Sequence, residues 1–418
     1  MAFNQLPGHG REWVPLVLSI SEFNQVSASM PRIASMSDDA FSQLKQQYLS
    51  GGSAAVLEQL TATLREQHDY HKLFDALCLK KKHELKASLL KPVSIDDVPA
   101  DQKEEFEFAY VAAAREVGHL LLADKKLGQA FVYFHAIREQ QPVRDAIEAV
   151  PVPRESSEES EELIDVAFYK LVHPVKGMQI LLKTHGTCST ITALDQAFAN
   201  LTAAQRSECA ALLVRTLHND LLQFVQREVR QRIPFDPPAA TLRELAAGRE
   251  WLFAENNYHI DVSHLHSTVR FARSLTADQP ELLLARDLAE YGAQLASQFQ
   301  YPGEPPFHDF YPAHIQFFNF LANQNRDGVI AFFNLQLENA NEPTDKAMIA
   351  YVLVDLLART DQLDAALPIA EKHLVSVDQD FAVAFAELCQ KAGRFDVLLR
   401  SSQERNDLVT YAAALVQQ

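Results

Sequence analysis

Three short strings hold the side chains best suited to chemistry. In THGTCST, residues 184–190, His185 stands three positions before Cys188. A thiol at the mouth of a helix feels its positive end, and a nearby imidazole can take the proton, so Cys188 as nucleophile with His185 as base is one chemistry this spacing suits. A plain turn between helices accounts for the same residues: Gly186 suits the left-handed conformation that ends a helix, and Thr187 or Ser189 suits the cap of the next. In YHIDVSHLH, residues 258–266, His259, Asp261 and His264 are ligand types for zinc, iron or nickel. The spacing is not HExxH, and His264 and His266 lie about 200° apart on a helix, so they cannot both bind one ion. Asp261 equally suits an N-cap that accepts a backbone bond near His264. In QYPGEPPFHDFYPAH, residues 300–314, four prolines stiffen a segment in which Tyr301, Phe307, Phe310 and Tyr311 surround His308, Asp309 and His314. Such a segment either clamps onto its own protein or walls a groove, where His308 or His314 could complete a metal site begun by His259 and His264. That reading expects a metal-assisted hydrolase, lyase or isomerase using a divalent transition metal. The default expects no cofactor, and the lack of GxGxxG, Walker and GxSxG strings argues against dinucleotide, P-loop and hydrolase-elbow chemistry.

The elements that must position these residues read as helices. In VAAAREVGHLLLADKKLGQAFVYFHAIREQQP, residues 111–142, the spacing of Gly118, Leu121, Leu127, Ala130 and Phe134 predicts two antiparallel helices: Gly118 and Ala130 permit close approach, and Leu121 and Phe134 fill the seam. Pro142 is expected to end the second helix. Near the C-terminus Leu357, Leu363, Ala366 and Ala370 take the corresponding places, and then Cys389, Phe395, Leu398 and Ser402, with Ala366 to Leu398 one period of 32 residues. Residues 53–66 with 70–86 form another such pair, and weaker ones span 263–297 and 314–338. These residues resemble the tetratricopeptide superfamily, whose units run to ~34 residues, although its usual aromatic is Ala114, Ala350 and Ala382 here. The resemblance implies an all-α protein, an α-solenoid of antiparallel helix hairpins with a central helical region, in which each hairpin buries its apolar face against the next.

Along the chain, residues 1–37 read as a partly extended arm, 38–150 as N-terminal helical repeats and 151–160 as an acidic, Ser-rich linker. Residues 161–314 form the central region carrying the candidate polar site, and 315–418 the C-terminal repeats. Within the centre, Thr202 followed by Gln205 marks a capping box at the head of a long helix from about 203 to 232.

Composition narrows the partners. With 55 acidic against 38 basic residues the formal net charge is −17, which repels phosphate backbones and argues against nucleic acid. No run approaches the ~18 apolar residues of a membrane span. Four scattered cysteines without a CxxC pair suit a reducing compartment, so the cytoplasm is expected. The leading expectation is therefore a cytosolic scaffold or adaptor that holds a partner protein or peptide, a basic one by charge, on its concave face; apolar terminal faces also suit homo-oligomers.

Overall fold

The computed structural model describes residues 38–233, 241–375 and 379–418. The N-terminal arm, 1–37, lies outside the described residues. Among those described no strand occurs, and the chain is all-helical. The described residues divide into two compact units, the first ending at Thr184 and the second beginning at His185.

The first unit contains α1 (Asp38–Glu66), α2 (Tyr70–Glu84), α3 (Lys103–Ala123), α4 (Leu127–Ala136), α5 (Gln141–Ala149), α6 (Glu158–Ile164) and α7 (Pro174–Thr184). The second contains α8 (Gly186–Ala197), α9 (Ala203–Arg232), α10 (Leu242–Ala246), α11 (Val262–Phe271), α12 (Glu281–Ala293) and α13 (Phe310–Leu321). It continues through α14 (Arg326–Asn339), α15 (Pro343–Arg359), α16 (Leu363–His373), α17 (Gln379–Lys391), α18 (Phe395–Glu404) and α19 (Leu408–Gln417). Helices pack chiefly on their neighbours in sequence: α1 on α2, α2 on α3, α3 on α4, α12 on α13, α15 on α16 and α18 on α19.

One turn recurs between these helices. At Gln67–Asp69, Asp124–Lys126, Thr360–Gln362, Ala392–Arg394 and Arg405–Asp407 the middle residue is left-handed: His68, Lys125, Asp361, Gly393 and Asn406, with φ between 55° and 66°. The third residue then donates its amide back across the turn, Asp69 to the Leu64 carbonyl at 3.0 Å, Lys126 to Leu121 at 2.9 Å, Gln362 to Leu357 at 2.8 Å, Arg394 to Cys389 at 2.9 Å and Asp407 to Ser402 at 2.9 Å. This is a Schellman closure, which satisfies carbonyls the ending helix leaves bare. The same third residue is the N-cap of the next helix each time, with φ from −98° to −88° and ψ from 52° to 87°. A short, rigid linker of this kind folds the following helix back onto the preceding one.

The seam between α3 and α4 is built as the spacing predicts. Gly118, Leu121, Ala130 and Phe134 are all buried. A Cβ at Gly118 would meet the Phe134 ring at 2.6 Å, so only glycine lets this aromatic sit against the α3 backbone. Burying a side chain of that size contributes roughly 1.5–3 kcal/mol. Pro142, by contrast, does not end α4, which closes at Ala136 with Arg138 left-handed; it opens α5, in the first turn, where its missing N–H costs nothing. The end of the acidic segment is helical too. Ser157 and Ser160 form a capping box, and Glu158, Glu159 and Glu161 lie in the first turn of α6, where negative charge opposes the helix dipole favourably.

Candidate functional site

In the second unit α9 is the frame on which the polar residues of α11 and α12 are set. Thr202 accepts from the Gln205 amide while Gln205 returns a bond to Thr202, fixing the head of α9 as expected. α9 then packs against both α11 and α12, carrying His218 and Glu228 toward residues far along the chain.

His259 ends in a closed set of contacts. Its backbone N–H donates to the Tyr291 hydroxyl oxygen at 2.9 Å, its Nδ1 lies 2.8 Å from the same oxygen, and its Nε2 lies 2.7 Å from Glu228 Oε2. Because the Tyr291 oxygen accepts the backbone proton, its own O–H is free to donate to Nδ1. The proton of a neutral imidazole then sits on Nε2, facing the carboxylate. Burial holds the His259 pKa below its usual value despite Glu228, and burial pushes the Tyr291 phenol up. Glu228 is itself held by Arg232 at 3.0 Å and by Asn257 at 3.3 Å. The Glu228–His259–Tyr291 chain could pass a proton along its length, but its bonds first of all fasten the loop before α11 onto α9 and α12.

Tyr291 also lines a cavity of about 240 Å³, together with Arg243, Glu250, Asp287 and Glu290. Arg243 pairs with Glu290, and Arg286 stands 3.7 Å from Glu290 and 3.9 Å from Asp287. His218 Nε2 lies 3.8 Å from Asp287. With Arg243 among the carboxylates of Glu250, Asp287 and Glu290, the lining is charged and acidic, its negative charge offset in part by Arg286 beside it.

The other expected residues are placed separately. Asp261 is the N-cap of α11, accepting from the amides of Ser263 at 2.8 Å and His264 at 3.2 Å and from the Ser263 hydroxyl. The Ser263 bond, with help from the two amides, holds its carboxyl below the usual carboxylate range. His308 is exposed, whereas His314 is buried, its Nδ1 2.7 Å from the Phe310 carbonyl and its ring stacked on Phe307. Phe307, Phe310 and Tyr311 are buried as well, so most of the aromatic segment clamps inward, and its last residues, from Phe310, are helical rather than irregular. Among the described residues no group of three or more His, Cys, Asp or Glu side chains could hold a metal ion, so His259, Asp261, His264, His308 and His314 do not form a single ligand set. Cys188 is exposed in the first turn of α8; His185 is that helix's N-cap residue without a side-chain capping bond, and Gly186 has φ 77° as the turn requires. Cys78, Cys209 and Cys389 are buried thiols, all three raised in pKa by burial, Cys209 and Cys389 to about 12.

A second cluster joins α11, the turn after it, α13 and α15. His266 stacks on Phe310 with ring centroids 3.9 Å apart and meets Tyr301 edge-on; burial and then Arg270 and Arg273 push it down to about 4. Burial likewise holds His314 well below its ordinary value, with Arg273 adding to the effect. His266 Nε2, His314 Nε2, Thr268 Oγ1 and Tyr311 Oη are buried without a hydrogen-bond partner among the described residues. Glu228, Tyr291 and Arg359 carry no motif in the sequence for these meetings, because Glu228 and Tyr291 reach His259, and Arg359 reaches the Arg273 carbonyl, across tens of residues.

No protein-family model, no curated protein and no solved structure matches this chain.

Proposed function

We propose that the chain is a helical-repeat scaffold or adaptor of the tetratricopeptide-like kind, which holds a partner protein or peptide on a face of its stacked hairpins. The observation that supports this reading most is the repeated left-handed turn: one backbone geometry at His68, Lys125, Asp361, Gly393 and Asn406 joins helices that pack on their sequence neighbours. Hairpins joined in this way present rows of side chains at a regular spacing, which is what a peptide or helix needs for register. Large apolar groups are also exposed on the first and last described helices. Phe41, Tyr48 and Leu49 of α1 and Leu408, Val409 and Val416 of α19 are each at least 60% exposed. Such groups are the usual anchors of protein contacts.

The test begins with the purified full-length chain as bait, followed by reconstitution of any captured partner from purified components. Saturable binding of one partner at micromolar strength or better, lost when Gly118→Leu opens the α3–α4 seam, is the expected result. Failure of every purified candidate to bind saturably removes the adaptor reading.

A further inference from the structure

Arg273 differs from the cations around it. It stands in the short 3₁₀ turn Ala272–Ser274 that follows α11. Its Nε donates to the Arg270 carbonyl at 3.2 Å and its guanidinium lies 4.8 Å from the centre of the Phe307 ring. Among the described residues no carboxylate lies within ion-pair distance of it and no acceptor meets its Nη groups. Its neighbours are engaged. Arg359 donates Nη1 to the Arg273 carbonyl at 2.6 Å and to the Leu275 carbonyl at 3.3 Å, and pairs through Nη2 with Asp355 at 2.9 Å. Arg270 pairs with Asp195 at 2.6 Å.

A guanidinium stays protonated in proteins, so a half-buried one beside two like charges is destabilised unless an anion meets it. Burial, then Arg270 and Arg359, bring Arg273 down to about 10, and the opposing pull of Asp355 and Glu304 is smaller. His266 and His314 are held neutral beside it and add no positive charge of their own. The Nη pair is therefore a planar fork without its usual counterpart, set on an aromatic plate that fixes its plane. Two partly exposed tyrosines stand on neighbouring elements: Tyr301, in contact with His266, is 43% exposed, and Tyr351, eight residues before Arg359 on α15, is 40% exposed.

We propose that Arg273 anchors an acidic peptide segment, taking one Asp or Glu carboxylate bidentate on its Nη groups while flanking residues rest on Tyr301 or Tyr351. A carboxylate fits better than a phosphate. Glu304 and Asp355 lie close enough to repel a dianion more than a monoanion, and one fork satisfies one carboxylate. The site rests on the scaffold reading and gives it a partner chemistry opposite in sign to the one net charge suggests.

The experiment is fluorescence anisotropy of labelled hexaglutamate against the full-length chain at fixed ionic strength, with hexalysine and inorganic phosphate as competitors. Hexaglutamate is expected to bind, Arg273→Gln to weaken it at least about tenfold, and Arg273→Lys, which keeps charge but loses the fork, to fall between. Arg65→Gln in the other unit is expected to change nothing. Thermal melts establish that each variant is folded; if Arg273→Gln is not, Arg273→Lys decides. Absence of hexaglutamate binding, or binding that both Arg273 variants leave intact, overturns the proposal. So does inorganic phosphate competing as strongly as the peptide, which would make the fork a free-anion site. A protein partner that binds Arg273→Gln as tightly as wild type removes the anchor and leaves the adaptor, whereas Arg273-dependent hexaglutamate binding with no reconstituted partner does the reverse.

Discussion

The α3–α4 seam and the α11–α13 cluster are both dense and aromatic, yet they treat polar atoms differently. At the seam Gly118 admits the Phe134 ring, and on the neighbouring face His71 Nδ1 lies 2.6 Å from the Tyr133 hydroxyl and its Nε2 3.1 Å from Gln129 Oε1. In the cluster Tyr311 presses on Gly292, where a Cβ would come within 2.3 Å of its ring, but the Tyr311 hydroxyl, His266 Nε2 and His314 Nε2 are buried without partners among the described residues. Buried polar atoms normally find partners because leaving one bare costs about 1–3 kcal/mol. The seam is thus explained by packing alone, and the cluster is not: its residues sacrifice stability beside Arg273, which, unlike the neighbouring Arg270 and Arg359, has no carboxylate at ion-pair distance among the described residues.

Breaking the seam should give the largest effect. Phe134→Ala removes a fully buried ring facing a glycine that cannot fill the space, and is expected to cost about 3–5 kcal/mol, read as a lowered urea midpoint. Acid should sharpen the contrast. Below about pH 6.5 the unfolded chain protonates the imidazoles of His266 and His314, while the folded chain keeps them neutral beside Arg270 and Arg273. The unfolded state then binds more protons, so stability present above pH 6.5 is lost as pH falls, for His266 until about pH 4. Urea midpoints at pH 7.5 and 5 should differ in that direction, and His266→Phe should reduce the difference. An undiminished difference would show that the acid sensitivity resides elsewhere. Tyr311→Phe removes an orphaned hydroxyl without changing the ring, and a gain of about 1 kcal/mol is expected; a loss would mean the hydroxyl has a partner when folded. Smallest is Lys125→Gly in the turn after α3. Relief of a left-handed lysine, partly offset by a freer unfolded chain, should add about 0.5 kcal/mol of stability, read as a raised urea midpoint.

The sequence discloses what depends on close neighbours along the chain. The Thr202–Gln205 cap, the Asp261 cap and the Gly118–Phe134 contact are all readable, because the residues that meet lie within a turn or a hairpin of one another. Pro142 misleads, since proline opens a helix as readily as it closes one, and only the left-handed Arg138 shows that α4 has already ended. Glycine signals just one of the recurrent turns, at Gly393; histidine, lysine, aspartate and asparagine occupy the rest and leave no compositional mark. Glu228 and Tyr291 flank His259 at distances of 31 and 32 residues, and Arg359 reaches the Arg273 carbonyl across 86. Nothing local announces such meetings.

The recurrent left-handed turn also bears on how the chain is born. Each hairpin completes its own closure from consecutive residues, so it can form during synthesis, at about 5–20 residues per second, before later segments have left the ribosome. Pulse-labelled amide exchange on nascent chains should find the amides of Asp69, Lys126 and Gln362 each protected soon after its own turn emerges, in ascending order along the message.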